Sequence, residues 1–456
     1  MPKVVCSRTL FYLFFSIIIN LSSAQTYSSQ QVIEDLDFLS SQIQQYNPAL
    51  DQFNPHFDSI VQKIRSEVNG DYTALEHFQI MARIAAQAKE GHMSVGNWKD
   101  TVHSGFNQDR YLYLPFLLKI IDNEIFIWKV YSEEQELNDG DQILSINGQS
   151  SKDILKEFES YLCRDGNIKT SINHQLNAGF AWMYYLYIDQ SKVFDIEYFI
   201  PSDGNRAKTK LKALKKSEMV KNYKIQYGIN NDPPKELGNS VYYFTIEENT
   251  ALLKLKTFNR GLLKKEKVKS KKFYKEIFEE LAQKNCKNLI IDLRGNNGGR
   301  IEMSEDILPF ILKTDSSIVY RSSLSWKGKT KEFELPEKSE FAFSGKIFVL
   351  VDGQTFSAGA SLARYLREYA GAKIIGEEAA GRYEGFVAGS KEYIVLENSK
   401  LKIGIPRYAT LFPASNIQST KDRGIIPDYT ISYSFEDLVE EKDLAMEKVK
   451  SLILNP

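Results

Sequence analysis

Two strand-to-turn junctions hold the residue types that nucleophilic chemistry needs. In the first, the apolar run 289–293 leads directly into Arg294-Gly295-Asn296-Asn297-Gly298-Gly299, with three glycines in five residues. Such a turn lets the backbone approach another group closely and presents N–H groups outward. A phosphate cradle is one use of it, but no Gly-Lys-Ser/Thr follows and the spacing is not that of a dinucleotide fingerprint. An oxyanion hole is the other use. In the second junction, the apolar run 347–351 leads into Asp352-Gly353-Gln354-Thr355-Phe356-Ser357-Ala358, and then into a pattern with Leu362, Tyr365, Leu366 and Tyr369 on one helical face. A serine there sits at the positive end of a helix dipole, with the N–H of Ala358 facing any negative charge that develops. By itself Ser357 also reads as an ordinary helix N-cap.

The remaining chemistry-bearing residue types are sparse. Histidines stand at 56, 77, 92, 103 and 174 without ligand spacing, so neither a metal nor another cofactor is expected. Three cysteines, Cys6, Cys163 and Cys286, are too few for a disulfide scaffold or a thiolate cluster in a chain of 456 residues. With 26% charged residues and a net charge of −1, the composition offers nothing to a nucleic acid.

The elements that must position these residues follow from periodicity. Lys3 and Arg8 precede an apolar run, 10–21, that ends in Ser22-Ser23-Ala24, the layout of a cleavable export signal over 1–24 with no membrane span left after its removal. Residues 25–105 read as a helical region, with Leu36, Leu39, Ile43 and Tyr46 on one face and a second apolar stretch over 75–88. Residues 106–215 switch to strand character: the runs 114–121 and 125–130 flank Asp122-Asn123, a hairpin turn. Over 216–456 strands and helices alternate, as an α/β core requires. Its lysine-rich run 264–272 reads as a solvated helix face.

The pieces together resemble the C-terminal-processing (tail-specific) serine protease family. Asp292-Leu293-Arg294-Gly295-Asn296-Asn297-Gly298-Gly299, Ser357-Ala358 and Gly424-Ile425-Ile426-Pro427-Asp428 stand in that family's order, and Gly140-Asp141-Gln142-Ile143-Leu144-Ser145-Ile146-Asn147-Gly148 looks like a PDZ signature. The resemblance implies a ClpP/crotonase-like β-β-α core, a PDZ-like β-unit with an insertion over 176–188, and an exported endopeptidase acting on a peptide or protein. Ser357 is then the nucleophile, and Gly298, Gly299 and Ala358 donate to the oxyanion. One branch of the family takes its base from a lysine that follows a Gly-x-x-x-x-Gly turn, but Arg382 stands there, and arginine does not deprotonate near neutral pH. The branch resembling the tricorn core and the chlamydial secreted protease uses a histidine in a Gly-His turn, which Gly91-His92 matches. Asp422 is the carboxylate expected to orient His92, one residue out of the family's register. Ala360 departs from a glutamate carried by many relatives. An ordinary histidine base predicts an acid limb at roughly pH 6 to 7.5. Two rival readings use the same fold without chemistry: a ligand-binding protein, and a peptide-binding adaptor.

Overall fold

The N-terminal helices start where their capping residues say they should. The computed structural model describes residues 26–96, 111–132, 136–227, 241–313 and 317–455; the leader expected at 1–24 and His103 lie outside them. Helix Ser29–Tyr46 begins with a Ser28/Gln31 capping box and helix Ala74–Ala86 with a Thr73/Glu76 box, each satisfying N–H groups that a helix start leaves open. Their apolar faces, with Leu36, Leu39, Ile43, Phe78 and Met81, pack on Ile394, Ile403 and Ile405 of a hairpin far along the chain. Asp35 ties the same contact together: its carboxylate accepts the N–H groups of Asn398 and Ser399 at 2.9 Å each and lies 3.1 Å from His77 Nε2. His77 is therefore a buried structural histidine. Among the described residues no helix is long and apolar enough to cross a membrane.

The centre is a six-stranded sheet in the order Tyr242–Glu247, Thr250–Leu255, Asn288–Asp292, Lys346–Val351, Lys373–Gly376, Tyr429–Thr430. All its pairs are parallel except the first, and parallel pairs need long crossovers. The crossovers supply helices Ser270–Gln283 and Ala358–Ala370, which cover one face; the C-terminal helix Leu444–Leu454 covers the other through Ala445 and Val449. Burial on both faces explains why Asn288–Asp292 and Lys346–Val351 read as nearly continuous apolar runs.

A second, antiparallel sheet runs Thr330–Glu334, Val319–Ser325, Lys402–Leu411, Gly385–Val395, and the short strand Ser94–Val95 joins it at Ile403 and Gly404. The N-terminal region thus inserts a strand into a sheet built by residues 319–411. The third sheet, antiparallel throughout, orders Phe116–Ile121, Glu124–Val130, Gln142–Ile146, Val193–Ile200 and Asn205–Lys212. Asp122 and Asn123 take φ values of 50° and 62°, and Asn147 and Gly148 take 49° and 81°, the geometry of tight hairpin turns. The aromatic stretch that interrupts the strand pattern belongs to helix Lys169–Tyr187, bent at Gly179. The architecture is a mixed α/β fold with several sheets.

Candidate active site

The turns that follow two adjacent central strands are bonded to each other residue by residue. Gly295 donates its N–H to the Asp352 carboxylate, Phe356 donates to the Asn296 carbonyl at 3.0 Å, and Thr355 Oγ1 donates to the Leu293 carbonyl at 2.9 Å. Asn296 is fully buried; its amide donates to the Leu255 carbonyl, and its Oδ1 accepts the Gly298 N–H, both at 2.8 Å. The glycines are demanded by proximity. A Cβ on Gly298, whose φ is 82°, would lie 2.8 Å from Ala358 N and from Ser357 Cβ. One on Gly359 would lie 2.6 Å from the Asn296 carbonyl.

Ser357 is held at φ 52°, ψ −127°, a conformation that only surrounding structure can impose on a residue with a side chain. Strand Lys346–Val351 ends just before it and helix Ala358–Ala370 begins just after it, which leaves the Ser357 hydroxyl on a sharp elbow at the positive end of the helix. Ala358 is the first residue of that helix, so its N–H has no acceptor within the helix. Of the three amides expected to hold an oxyanion, Gly298 is corrected: its N–H is spent on Asn296, which leaves Ala358 and Gly299. Ala360, in place of the glutamate of many relatives, has a spatial reason. A Cβ on Gly381 would come within 2.5 Å of the Ala360 Cβ, so the helix and the 376–382 turn meet too closely for a long side chain.

His92 arrives from the other end of the chain. Strand Ser94–Val95 pins the preceding turn to Lys402–Leu411, and the ring lies between Phe356 and Phe386, with centroids 4.5 Å and 5.5 Å away. Its Nε2 is 3.1 Å from Ser357 Oγ. Its Nδ1 is 2.9 Å from Glu90 Oε1. The carboxylate expected at this place, Asp422, is elsewhere: it faces Arg382 Nε at 3.5 Å and Lys89 Nζ at 3.8 Å. Glu90 takes the role because the turn Glu90-Gly91-His92 folds its own carboxylate under the imidazole, one residue before the Gly-His pair. Arg382 is fully buried, stacked over the Phe53 ring at 3.8 Å, with its guanidinium on the Lys89 and Gly385 carbonyls.

Burial dominates the electrostatics. The His92 ring, 18% exposed, is pulled down to about 4 by desolvation, opposed by the Asp165 carboxyl and assisted by the Lys391 charge. Glu90, fully buried, is raised by desolvation and stabilised by the N–H of Val387 and of His92. Asp165 is pushed up to about 8 by burial and by its neighbour Glu90. The ligand atoms of Glu90, His92 and Asp165 converge within 4.8 Å of one another, as those of a metal site would. Here they are committed elsewhere: both imidazole nitrogens to Ser357 and Glu90, and Asp165 to the N–H groups of Gly91 and Arg382.

A cavity of about 590 Å³ opens beside Gly91, Met93 and Phe356, walled on its far side by Trp182, Leu186 and Tyr187. His174 stands at its edge, bonded through Nε2 to Glu377 at 2.8 Å. Cys163 also lines it, but burial raises that thiol to about 12, which leaves it protonated and unreactive. Cys163 and Cys286 are both free.

Fold and site together define the class, a serine–histidine–carboxylate constellation carried on a mixed α/β scaffold. Residues 249–431, which contain both turns and Ser357, match the model of Peptidase family S41. A stretch of 135 residues is 30% identical to the carboxy-terminal processing protease CtpA of Bacillus subtilis (strain 168), covering 30% of this chain and 27% of that protein. The match spans about a quarter of the curated relative's length. Among solved structures, mature CPAF complexed with lactacystin superposes with a TM-score of 0.61 at 12% identity, over 93% of this chain and 98% of that one. Mature CPAF alone gives 0.57 at 12% identity, over 90% and 94%. Likeness at such identity establishes a shared fold.

Proposed function

We infer that this chain is an exported serine endopeptidase that cleaves peptide bonds through an acyl-enzyme on Ser357. The observation that carries the reading is the contact of His92 Nε2 with Ser357 Oγ at 3.1 Å, with Nδ1 held by the Glu90 carboxylate. Neutral imidazole takes the hydroxyl proton as Oγ attacks the substrate carbonyl carbon, and Glu90 stabilises the imidazolium that forms. The N–H groups of Ala358 and Gly299 face the oxyanion. As the tetrahedral intermediate collapses, the C–N bond breaks and His92 returns the proton to the departing amine; water, activated by the same imidazole, then hydrolyses the ester.

The apolar wall of Trp182, Leu186 and Tyr187 fits a substrate with a large apolar side chain near the scissile bond. The PDZ-like reading of 106–215 is supported by the Gly140 to Gly148 signature and by the turn at Asn147-Gly148; such a unit captures chain termini by adding a strand at a sheet edge. The ClpP/crotonase-like reading of the core is supported by its stacked parallel strands and crossover helices. Export rests on the leader-like layout of the first 24 residues. The test is a fluorophosphonate probe on the mature, folded protein, followed by peptide mapping. Labelling at Ser357 is expected. Folded protein that takes up no label would overturn the reading in favour of a ligand-binding role.

A further inference from the structure

Asp165 is a fully buried carboxyl that the proton path above leaves unused. It lies between helices Ser151–Tyr161 and Lys169–Tyr187, in a unit remote in sequence from both Ser357 and His92. Its oxygens accept the Gly91 N–H at 2.8 Å and the Arg382 N–H at 3.1 Å, and its carboxyl lies beside that of Glu90, an oxygen of each within 4.8 Å of the other. The loop around it is locked. Gly166 donates its N–H to the Lys89 carbonyl and Asn167 donates to the Asp422 carbonyl, and a Cβ on Gly166 would lie 2.4 Å from that same Asp422 oxygen.

Two fully buried carboxyls this close repel each other strongly when both are ionised, and they can bond to each other only when one holds a proton, so one is neutral and the other carries the charge. Glu90 is the better place for that charge. It receives the N–H groups of Val387 and His92 and faces His92 Nδ1, where the imidazolium forms, whereas Asp165 receives two amides only. Two further titratable groups interact with Glu90, Lys391 and the Cys163 thiol, and Lys391 also acts on His92.

We propose that Asp165 is a positioning residue: a neutral carboxylic acid that donates a hydrogen bond to Glu90 and thereby holds the Glu90 carboxylate under His92. The proposal rests on the serine–histidine–glutamate reading above and adds a fourth member drawn from a third region of the chain. The high affinity of Asp165 for its proton, displaced upward by burial, agrees with it.

The experiment compares wild type with Asp165→Asn, Asp165→Ala and Glu90→Gln on a short peptide, together with melting curves across pH. The amide of Asp165→Asn supplies a neutral donor in the same place, so its kcat should stay within about fivefold of wild type, the worth of one altered neutral hydrogen bond. Asp165→Ala should lose about 10²-fold in kcat with KM little changed, the cost of a misplaced base. Glu90→Gln should be the damaged member of the isosteric pair. Wild type should lose kcat as pH rises through about 8, where the shared proton leaves, and Asp165→Asn should not. The opposite ranking, with Glu90→Gln tolerated and Asp165→Asn inactive, would move the proton to Glu90 and overturn the proposal. An identical alkaline limb in Asp165→Asn would do so as well. Melting curves decide the matter without turnover. The shared proton stabilises the fold below the unfolded carboxyl's pKa, and this gain is lost as pH rises through about 8, so the melting-temperature gap, taken as wild type minus Asp165→Asn, should fall over that interval. A flat gap removes the shared proton even if wild type proves unreactive to fluorophosphonate, a result that would count against the peptidase reading separately.

Discussion

His92 Nε2 lies 3.1 Å from Ser357 Oγ across 265 residues of sequence, and the two side chains are brought there by different sheets. Ser357 rides on the end of the parallel central sheet; His92 is tethered through Ser94–Val95 to the antiparallel one. The site therefore exists only when the N-terminal region is docked.

Replacing Ser357 with alanine should abolish peptidase activity, by about 10⁴- to 10⁶-fold, while leaving the melting curve in place, since one hydroxyl is lost and no cavity opens. His92→Ala should match it in rate. Steady-state cleavage of a peptide with a bulky apolar residue, alongside thermal melts, checks both; turnover close to wild type in either variant would reject its assigned role.

Glu90→Gln and Asp422→Asn separate the two candidates for the carboxylate that orients His92. The first removes the charge that faces Nδ1 and should slow kcat by about 10²- to 10⁴-fold. The second touches a carboxylate that bonds Arg382 and Lys89, and kcat should stay within about fivefold of wild type. The reverse order in kcat would restore Asp422 to the site.

The pH profile should be displaced toward acid. The base works as neutral imidazole, so kcat/KM rises as pH climbs through the His92 pKa, and burial between Phe356 and Phe386 places that value at about 4. Activity should be flat across roughly pH 5 to 7, not falling through the 6 to 7.5 window of an ordinary histidine. A limb inside that window, lost in the residual activity of His92→Ala, would show that the ring is better solvated than its packing indicates.

Arg382→Ala should cost stability without removing the base. The guanidinium fills a fully buried site over Phe53, bonds the Lys89 carbonyl just before the Glu90-Gly91-His92 turn, and is a cation beside Asp422. Loss of about 3 kcal/mol is expected from an uncompensated charge and lost packing. Denaturant titration measures it, and activity per titrated active site should be retained in the folded fraction.

Gly298→Ala tests the close approach of the two turns. Its Cβ would be forced to 2.8 Å from Ala358 N and Ser357 Cβ at a φ of 82°, so the nucleophile elbow must shift. Fluorophosphonate labelling should slow by about 10²-fold or more, the effect of a displacement near 1 Å. Unchanged labelling would mean that the glycine is dispensable there.

The chain by itself determined what is local. Strand-length apolar runs ending in glycines announced both turns, and Ser357 at a strand-to-helix junction stood out against them. Asp122-Asn123 and Asn147-Gly148 likewise form turns because those residues accept positive φ without help from the rest of the fold. His92 was legible only through its Gly-His neighbourhood. Tertiary structure decided everything that depends on who meets whom. It set Glu90 under the imidazole and sent Asp422 to Arg382. It tied up the Gly298 N–H with the Asn296 side chain and drew Asp165 in from a loop between two helices. No spacing rule encodes these outcomes, because hydrogen-bond partners and the displaced proton affinities of His92 and Asp165 come from burial and from charges brought together across hundreds of residues.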